Sequence, residues 1–160
     1  MGSEMCIRDS KETSEGPIII ETGPHSTLPQ IVSFLATKGY TLSDVKHVFL
    51  THIHLDHAGA AWAFAREGAT VYLHPVGEKH MIDPTKLLKS AKQIYKDQMY
   101  ALWGELHPIP APQLRTIANG EKITIGDTQL VAWHTPGHAC LLYTSPSPRD
   151  LSTSRMPSSA

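Results

Sequence analysis

Apolar residues in this chain fall in short blocks, and each block is closed by glycine, proline or a small polar cluster. Residues 17–21 (P-I-I-I-E), 45–50 (V-K-H-V-F-L) and 69–73 (A-T-V-Y-L) have the β-branched and aromatic content of buried strands. Between the first two, Leu28, Ile31, Val32 and Leu35 recur at helical spacing, with Pro29 in the first turn and Gly39 just past the end. Residues 27–38 therefore read as an amphipathic helix. Strand, crossover helix and strand make a βαβ unit, which supplies the parallel part of a sheet. Residues 58–66 (A-G-A-A-W-A-F-A-R) read as a further helix after the second strand.

Farther along, Leu87, Leu88, Ala91, Ile94, Tyr95, Met99 and Leu102 stand at helical spacings with lysines among them, so residues 84–106 read as one long helix. Its apolar stripe is either ordinary core or the underside of an insertion that roofs a cleft, with Tyr95, Tyr100 and Trp103 as the lining. The proline-rich residues 107–112 cannot continue a helix and predict an extended linker. Residues 115–118 and 122–125 flank Asn119-Gly120, a hairpin signal, and Gly126-Asp127 turns into a strand over 128–133. The whole pattern predicts an α/β fold.

The loop after the second strand changes the picture, because T-H-I-H-L-D-H-A-G over residues 51–59 packs three histidines and an aspartate into six positions. Open α/β sheets place ligand sites at the carboxyl ends of their strands. In extended backbone His52, His54 and Asp56 share one face, while His57 turns the other way where the helix begins. Neutral imidazole and carboxylate suit zinc, and also iron or manganese. One histidine in such a loop is most often solvated, but four ligand-type residues at this spacing read as a metal site. His25, His47, His74, His80 and His134 stand outside the pattern and read as surface or hydrogen-bonded side chains.

The H-x-H-x-D-H run of His52, His54, Asp56 and His57, followed by Gly59, resembles the signature of the metallo-β-lactamase superfamily. A second motif of that family, T-P-G-H, stands at residues 135–138, and residues 18–24 resemble the family's strand ending in a D-T-G turn, with Glu21 in place of the aspartate. The resemblance implies that His52, His54 and His138 hold one metal, while Asp56 and His57 belong to a second. It implies zinc, one ion or two, with a metal-bound hydroxide attacking an ester, thioester or lactone-like small substrate. Asp56 would orient that hydroxide or take its proton. The hydroxyacylglutathione hydrolases are the branch named by the resemblance. An iron-dependent oxygenase on the same fold and a metal-binding domain without catalysis are the alternatives, and the carboxylate of Asp56 argues against the latter.

The two ends of the chain carry a signal of their own. Met5-Cys6-Ile7-Arg8-Asp9 can be written in codons whose reverse complement spells Cys140-Leu141-Leu142-Tyr143-Thr144, and Gly2-Ser3-Glu4 matches residues 145–148 in the same way. One DNA element read in two orientations accounts for both, and it resembles a transposase adapter used in sequencing libraries. Residues 1–10 and 140–160 are accordingly set aside from the fold as adapter-derived. Residues 11–139 are read as a truncated metallo-β-lactamase-like domain: an incomplete αββα sandwich, its first half. The family's later bridging aspartate and last histidine have no counterpart here, so the inner face of the sheet is expected to lie open and the chain to be marginal and catalytically poor.

Composition narrows the partners. Cys6 and Cys140 are the only cysteines and both lie in the ends set aside, so nothing points to an oxidising compartment and a cytoplasmic location is expected. With 14 Lys and Arg against 15 Asp and Glu, the chain offers no electrostatic footprint for nucleic acid. Nor is any apolar run long enough to span a bilayer. A small-molecule substrate is the partner expected.

Overall fold

The computed structural model describes residues 9–137 and 141–144. Its first sheet runs through five strands in chain order: β1 (Asp9–Thr13), β2 (Gly16–Ile20), β3 (His47–Phe49), β4 (Thr70–Leu73) and β5 (Leu114–Thr116). β1 is antiparallel to β2, and every later neighbour is parallel, with Ile19 beside Val48, Val48 beside Val71 and Val71 beside Leu114. The helix α1 (Leu28–Thr37) makes the β2 to β3 crossover, and α2 (Leu55–Ala58) with α3 (Ala61–Arg66) makes the β3 to β4 crossover. Every side chain of α3 except Arg66 is buried, which is why its sequence is apolar all round rather than striped.

The alternation along each strand sends side chains to two different cores. Ile19, Val48, Val71 and Leu73 pack against the helices together with Leu35, Phe64 and Trp62. Ile18, Phe49 and Tyr72 point the other way, onto Ile123, Ile125, Leu130, Ala132 and Leu141. These last residues come from a second, antiparallel sheet made of β6 (Glu121–Ile125), β7 (Thr128–His134) and β8 (Leu141–Thr144). The expectation of an open inner face is therefore corrected: the second sheet covers it, and Ile18 and Phe49 are fully buried.

Two further expectations change. Asn119-Gly120 does not close a hairpin, because β5 pairs with β4 in the first sheet and β6 with β7 in the second. A tight hairpin turn of the Asn-Gly kind needs positive φ at both residues, and only Gly120 has it, at 75°. The dipeptide instead carries the chain from one sheet to the other, and the hairpin is made at Gly126-Asp127. The long helix over 84–106 is in fact α5 (Thr85–Tyr95) and α6 (Met99–Trp103), joined by a 3-10 turn at Lys96–Gln98, with α4 (Pro75–Ile82) before them. Lys96 breaks it with φ 47°. The bend lets Met99 join Ala91 and Leu55 in a third, smaller core.

The ends set aside in the sequence reading contribute two short pieces. Asp9 and Ser10 extend β1, and β8 lies wholly within residues 140–160. Strand pairing uses backbone groups that any residue carries, and Leu141 and Tyr143, two apart on β8, both pack on the core between the sheets. No described helix is long and apolar enough to cross a membrane.

Candidate metal centre

The site sits where β2, β3 and α2 meet. β3 ends at Phe49, and the chain passes through Leu50 and Thr51 to His52, which is 7% exposed, with Nδ1 at 2.9 Å from its neighbour's Oγ1 on Thr51. His54 stands at the N-cap of α2 in extended backbone, and its carbonyl accepts from the His57 and Ala58 amides at 2.9 and 2.8 Å. Asp56 lies in the first turn of that helix, where a carboxylate is favoured by the exposed N–H groups. The loop thus becomes helical earlier than the extended reading expects. His52, His54 and Asp56 converge because a cap and a helical turn follow the strand, not because backbone alternation continues.

Two sets of donor atoms result. Those of His52, His54 and Asp56 all lie within 4.8 Å of one another, and so do those of Glu21, His52 and His57. A cation holding ligands at about 2.1 Å spans donors up to about 4.2 Å apart, so a modest rotamer adjustment is all that separates the first set from a binding geometry. His52 belongs to both sets. Its ring lies 4.8 Å from that of His54, nearly perpendicular, and 3.9 Å from that of His57. His57 Nε2 lies 3.3 Å from Asp56 Oδ2, so all four motif residues face one cleft. Imidazoles and carboxylates in this grouping are the donor set zinc takes. The expected ligand His138 lies outside the described residues.

Glu21 is the residue whose role sequence reasoning missed. It appears there only as a stand-in for aspartate in a turn, yet it is 6% exposed and meets the motif directly. Its Oε1 accepts from the Thr51 amide and its Oε2 lies at 2.5 Å from His57 Nδ1. The next two residues hold the same histidine by its main chain: the Thr22 and Gly23 amides and the Thr22 hydroxyl all donate to the His57 carbonyl, at 2.8, 3.0 and 2.9 Å. The Glu21 carboxylate raises the His57 pKa above its ordinary value, against burial. The signal that could have found this contact is topological, since residues ending adjacent parallel strands are neighbours in space.

Four of the histidines outside the motif, His25, His47, His74 and His134, have structural partners. His47 Nδ1 is 3.0 Å from the Tyr72 hydroxyl, and burial lowers its pKa. His74 caps α4, its Nδ1 accepting from the Val76 amide, and its ring lies 4.3 Å from that of His134. His134 is held at both ends, its amide by Asn119 Oδ1 at 2.9 Å and its Nε2 at 2.8 Å from the Ile117 carbonyl. His25 Nδ1 accepts from the Glu105 amide.

Beside His54 and Asp56 opens a cleft of about 430 Å³, walled by Leu55, Leu87, Ala91, Ile94, Tyr95 and Trp103. Two of the three aromatic candidates for a lining are there, and Tyr100 is 70% exposed elsewhere on the surface. The Trp103 indole N–H is buried and has no hydrogen-bond partner among the described residues.

Comparison with known proteins places these observations in company. The metallo-beta-lactamase superfamily matches residues 11–154. A subclass B3 metallo-beta-lactamase from a soil metagenome library shares 31% identity and superposes with a TM-score of 0.63, over 85% of this chain and 49% of its own. The subclass B3 metallo-beta-lactamase of Bradyrhizobium japonicum shares 25% at a TM-score of 0.65, over 85% and 48% of the two chains. A metallo-beta-lactamase family protein from Thermus thermophilus, 22% identical, has a TM-score of 0.67 over 84% of this chain and 48% of its own. The chain spans about half the length of the solved structures it matches.

Proposed function

The chain belongs to the metallo-beta-lactamase superfamily, and from that premise we propose that it carries the metal-holding segment of a zinc-dependent hydrolase acting on a small substrate with an ester, thioester, lactone or lactam bond. The observation that carries this reading is the convergence of His52, His54 and Asp56 on one cleft, with His57 alongside. His52, His54 and, outside the described residues, His138 would hold one zinc, and Asp56 and His57 would serve a second. Bound there, zinc supplies a hydroxide at neutral pH and polarises the bond to be broken.

The chain's own residues do the rest. Asp56, at the mouth of the cleft, is placed to orient a nucleophilic water or to take its proton. The apolar wall of Leu55, Ile94, Tyr95 and Trp103 excludes water from one side and would seat an apolar group on the acyl side of the substrate. The subclass B3 enzymes that superpose on the chain are named as β-lactamases, which supports including a lactam among the bonds tested.

We read residues 1–10 and 140–160 as adapter-derived and the natural gene as continuing past Ala139. The test compares the chain as it stands with the chain extended by the natural reading frame from the source DNA. Zinc content and hydrolysis of a thioester, a lactone and a lactam are measured for both. The expected result is at most one tightly held zinc and negligible turnover for the shorter protein, against two zincs and hydrolysis for the longer. Failure of both to bind zinc would overturn the reading.

A further inference from the structure

Glu21 has a backbone φ of 66°, a region that glycine, asparagine and aspartate enter readily and glutamate does not. A sparsely populated conformation persists where its surroundings over-determine it. Here the Glu21 amide donates to the Phe49 carbonyl at 2.9 Å, and the following Thr22-Gly23 amides grip the His57 carbonyl. The side chain, not the backbone, explains the residue type. Its carboxylate bridges the start of the metal loop, at the Thr51 amide, and the Nδ1 of His57.

We propose that Glu21 is a positioning residue that fixes the tautomer of His57, keeping the proton on Nδ1 and presenting a bare Nε2 to the metal cleft. The inference rests on the metal-dependent reading above. An ionised carboxylate only accepts hydrogen bonds, so the imidazole nitrogen facing it carries the proton. The other nitrogen, Nε2, lies on the Asp56 side, 3.3 Å from its carboxylate. A ligating nitrogen must be unprotonated, so a partner that held the opposite tautomer would block the site. Carboxylates placed behind ligating histidines act in this way and tune how tightly the metal is held.

The test is Glu21→Gln, which keeps the shape but has one acceptor and one donor. With its oxygen kept by the Thr51 amide, the amide nitrogen faces His57 Nδ1 and drives the proton to Nε2. Long-range nitrogen–proton correlation spectra of the metal-free protein, recorded at a pH high enough that the nitrogen shifts of His57 no longer change with pH and its imidazole is neutral, read the tautomer directly. Cobalt(II) titration, followed by its visible absorption, reads the affinity. Wild type should show Nδ1–H. The glutamine variant should show Nε2–H and bind cobalt about 10- to 100-fold more weakly, while Glu21→Asp, still acceptor-only, should keep Nδ1–H with a smaller loss. A glutamine variant with the wild-type tautomer and affinity would overturn the proposal. Should that variant fail to fold, Nε2–H in the wild type would overturn it alone. A wild-type protein that shows Nδ1–H yet binds no cobalt would count against the hydrolase reading and leave the role of Glu21 standing.

Discussion

Phe49 and Tyr72 stack on adjacent parallel strands with ring centroids 4.4 Å apart and planes 12° from parallel, and both rings point into the gap between the two sheets. Tyr143 meets Phe49 edge-on from β8, at 5.3 Å. This stack is the centre of the inter-sheet core, so Phe49→Ala should cost about 3–5 kcal/mol. Urea denaturation measures it. A loss below about 1 kcal/mol would mean the sheets do not share a core.

Gly59 lies where α2 passes over the Gly23-Pro24 turn. A Cβ there would strike the Leu55 carbonyl and stand 2.9 Å from Pro24 Cα, both backbone atoms that cannot swing aside. Gly59→Ala should therefore destabilise by about 1–3 kcal/mol or more. Because the displaced turn also holds the His57 carbonyl, cobalt affinity should fall with stability rather than independently of it.

Two histidines should give opposite pH dependences in metal-free protein. The His47 pKa is lowered, chiefly by burial, so the folded state binds fewer protons than the unfolded. Its contribution is present above the ordinary imidazole range and is lost as pH falls through the folded value. His57, raised chiefly by its hydrogen bond to Glu21, contributes below that range and loses its contribution as pH rises. Melting temperatures from about pH 8 to about pH 5 should fall less steeply with acid for His47→Gln and more steeply for His57→Asn. Parallel curves for the two variants would contradict both assignments.

Asp56→Asn keeps size and removes charge and basicity. In the extended protein it should lower turnover about a hundredfold or more and weaken cobalt binding, with little change in melting temperature, since the Asp56 side chain is 43% exposed. Turnover within a fewfold of wild type would remove Asp56 from the chemistry.

In the same extended protein, Trp103→Ala should raise KM about tenfold for substrates with a bulky apolar acyl group, with kcat little changed, because a wall contact is made equally in ground and transition states. Trp103→Phe separates the ring from its N–H. An equal effect on acetyl and bulky acyl substrates would place the acyl group elsewhere.

The strands β2, β3 and β4, the α1 crossover and the metal loop were legible because each carries its period or its spacing in consecutive residues. The Asn119-Gly120 hairpin was misread because the dipeptide signals a turn without saying which strands lie on either side. The kink at Lys96 was hidden, since helical spacing continues through it and only tertiary packing of Met99 reveals the bend. Glu21 stayed in the background for a similar reason: it joins His57 across 36 residues of sequence. The second sheet's cover over Ile18 and Phe49 depended partly on Leu141, in a segment that had been set aside.

The small core of Leu55, Ala91 and Met99 adjoins the main helical core through Leu106, which packs against both. Leu55 is also a residue of α2, so the α5–α6 segment leans directly on the helix that carries Asp56 and His57. Ser26, just past the Glu21 turn, donates to the Leu102 carbonyl, and Trp62 donates to that of Glu105, so a segment of different wall chemistry would have to renew these supports as well. Wall and metal loop are thus one mechanical unit, and a change in either is felt by the other.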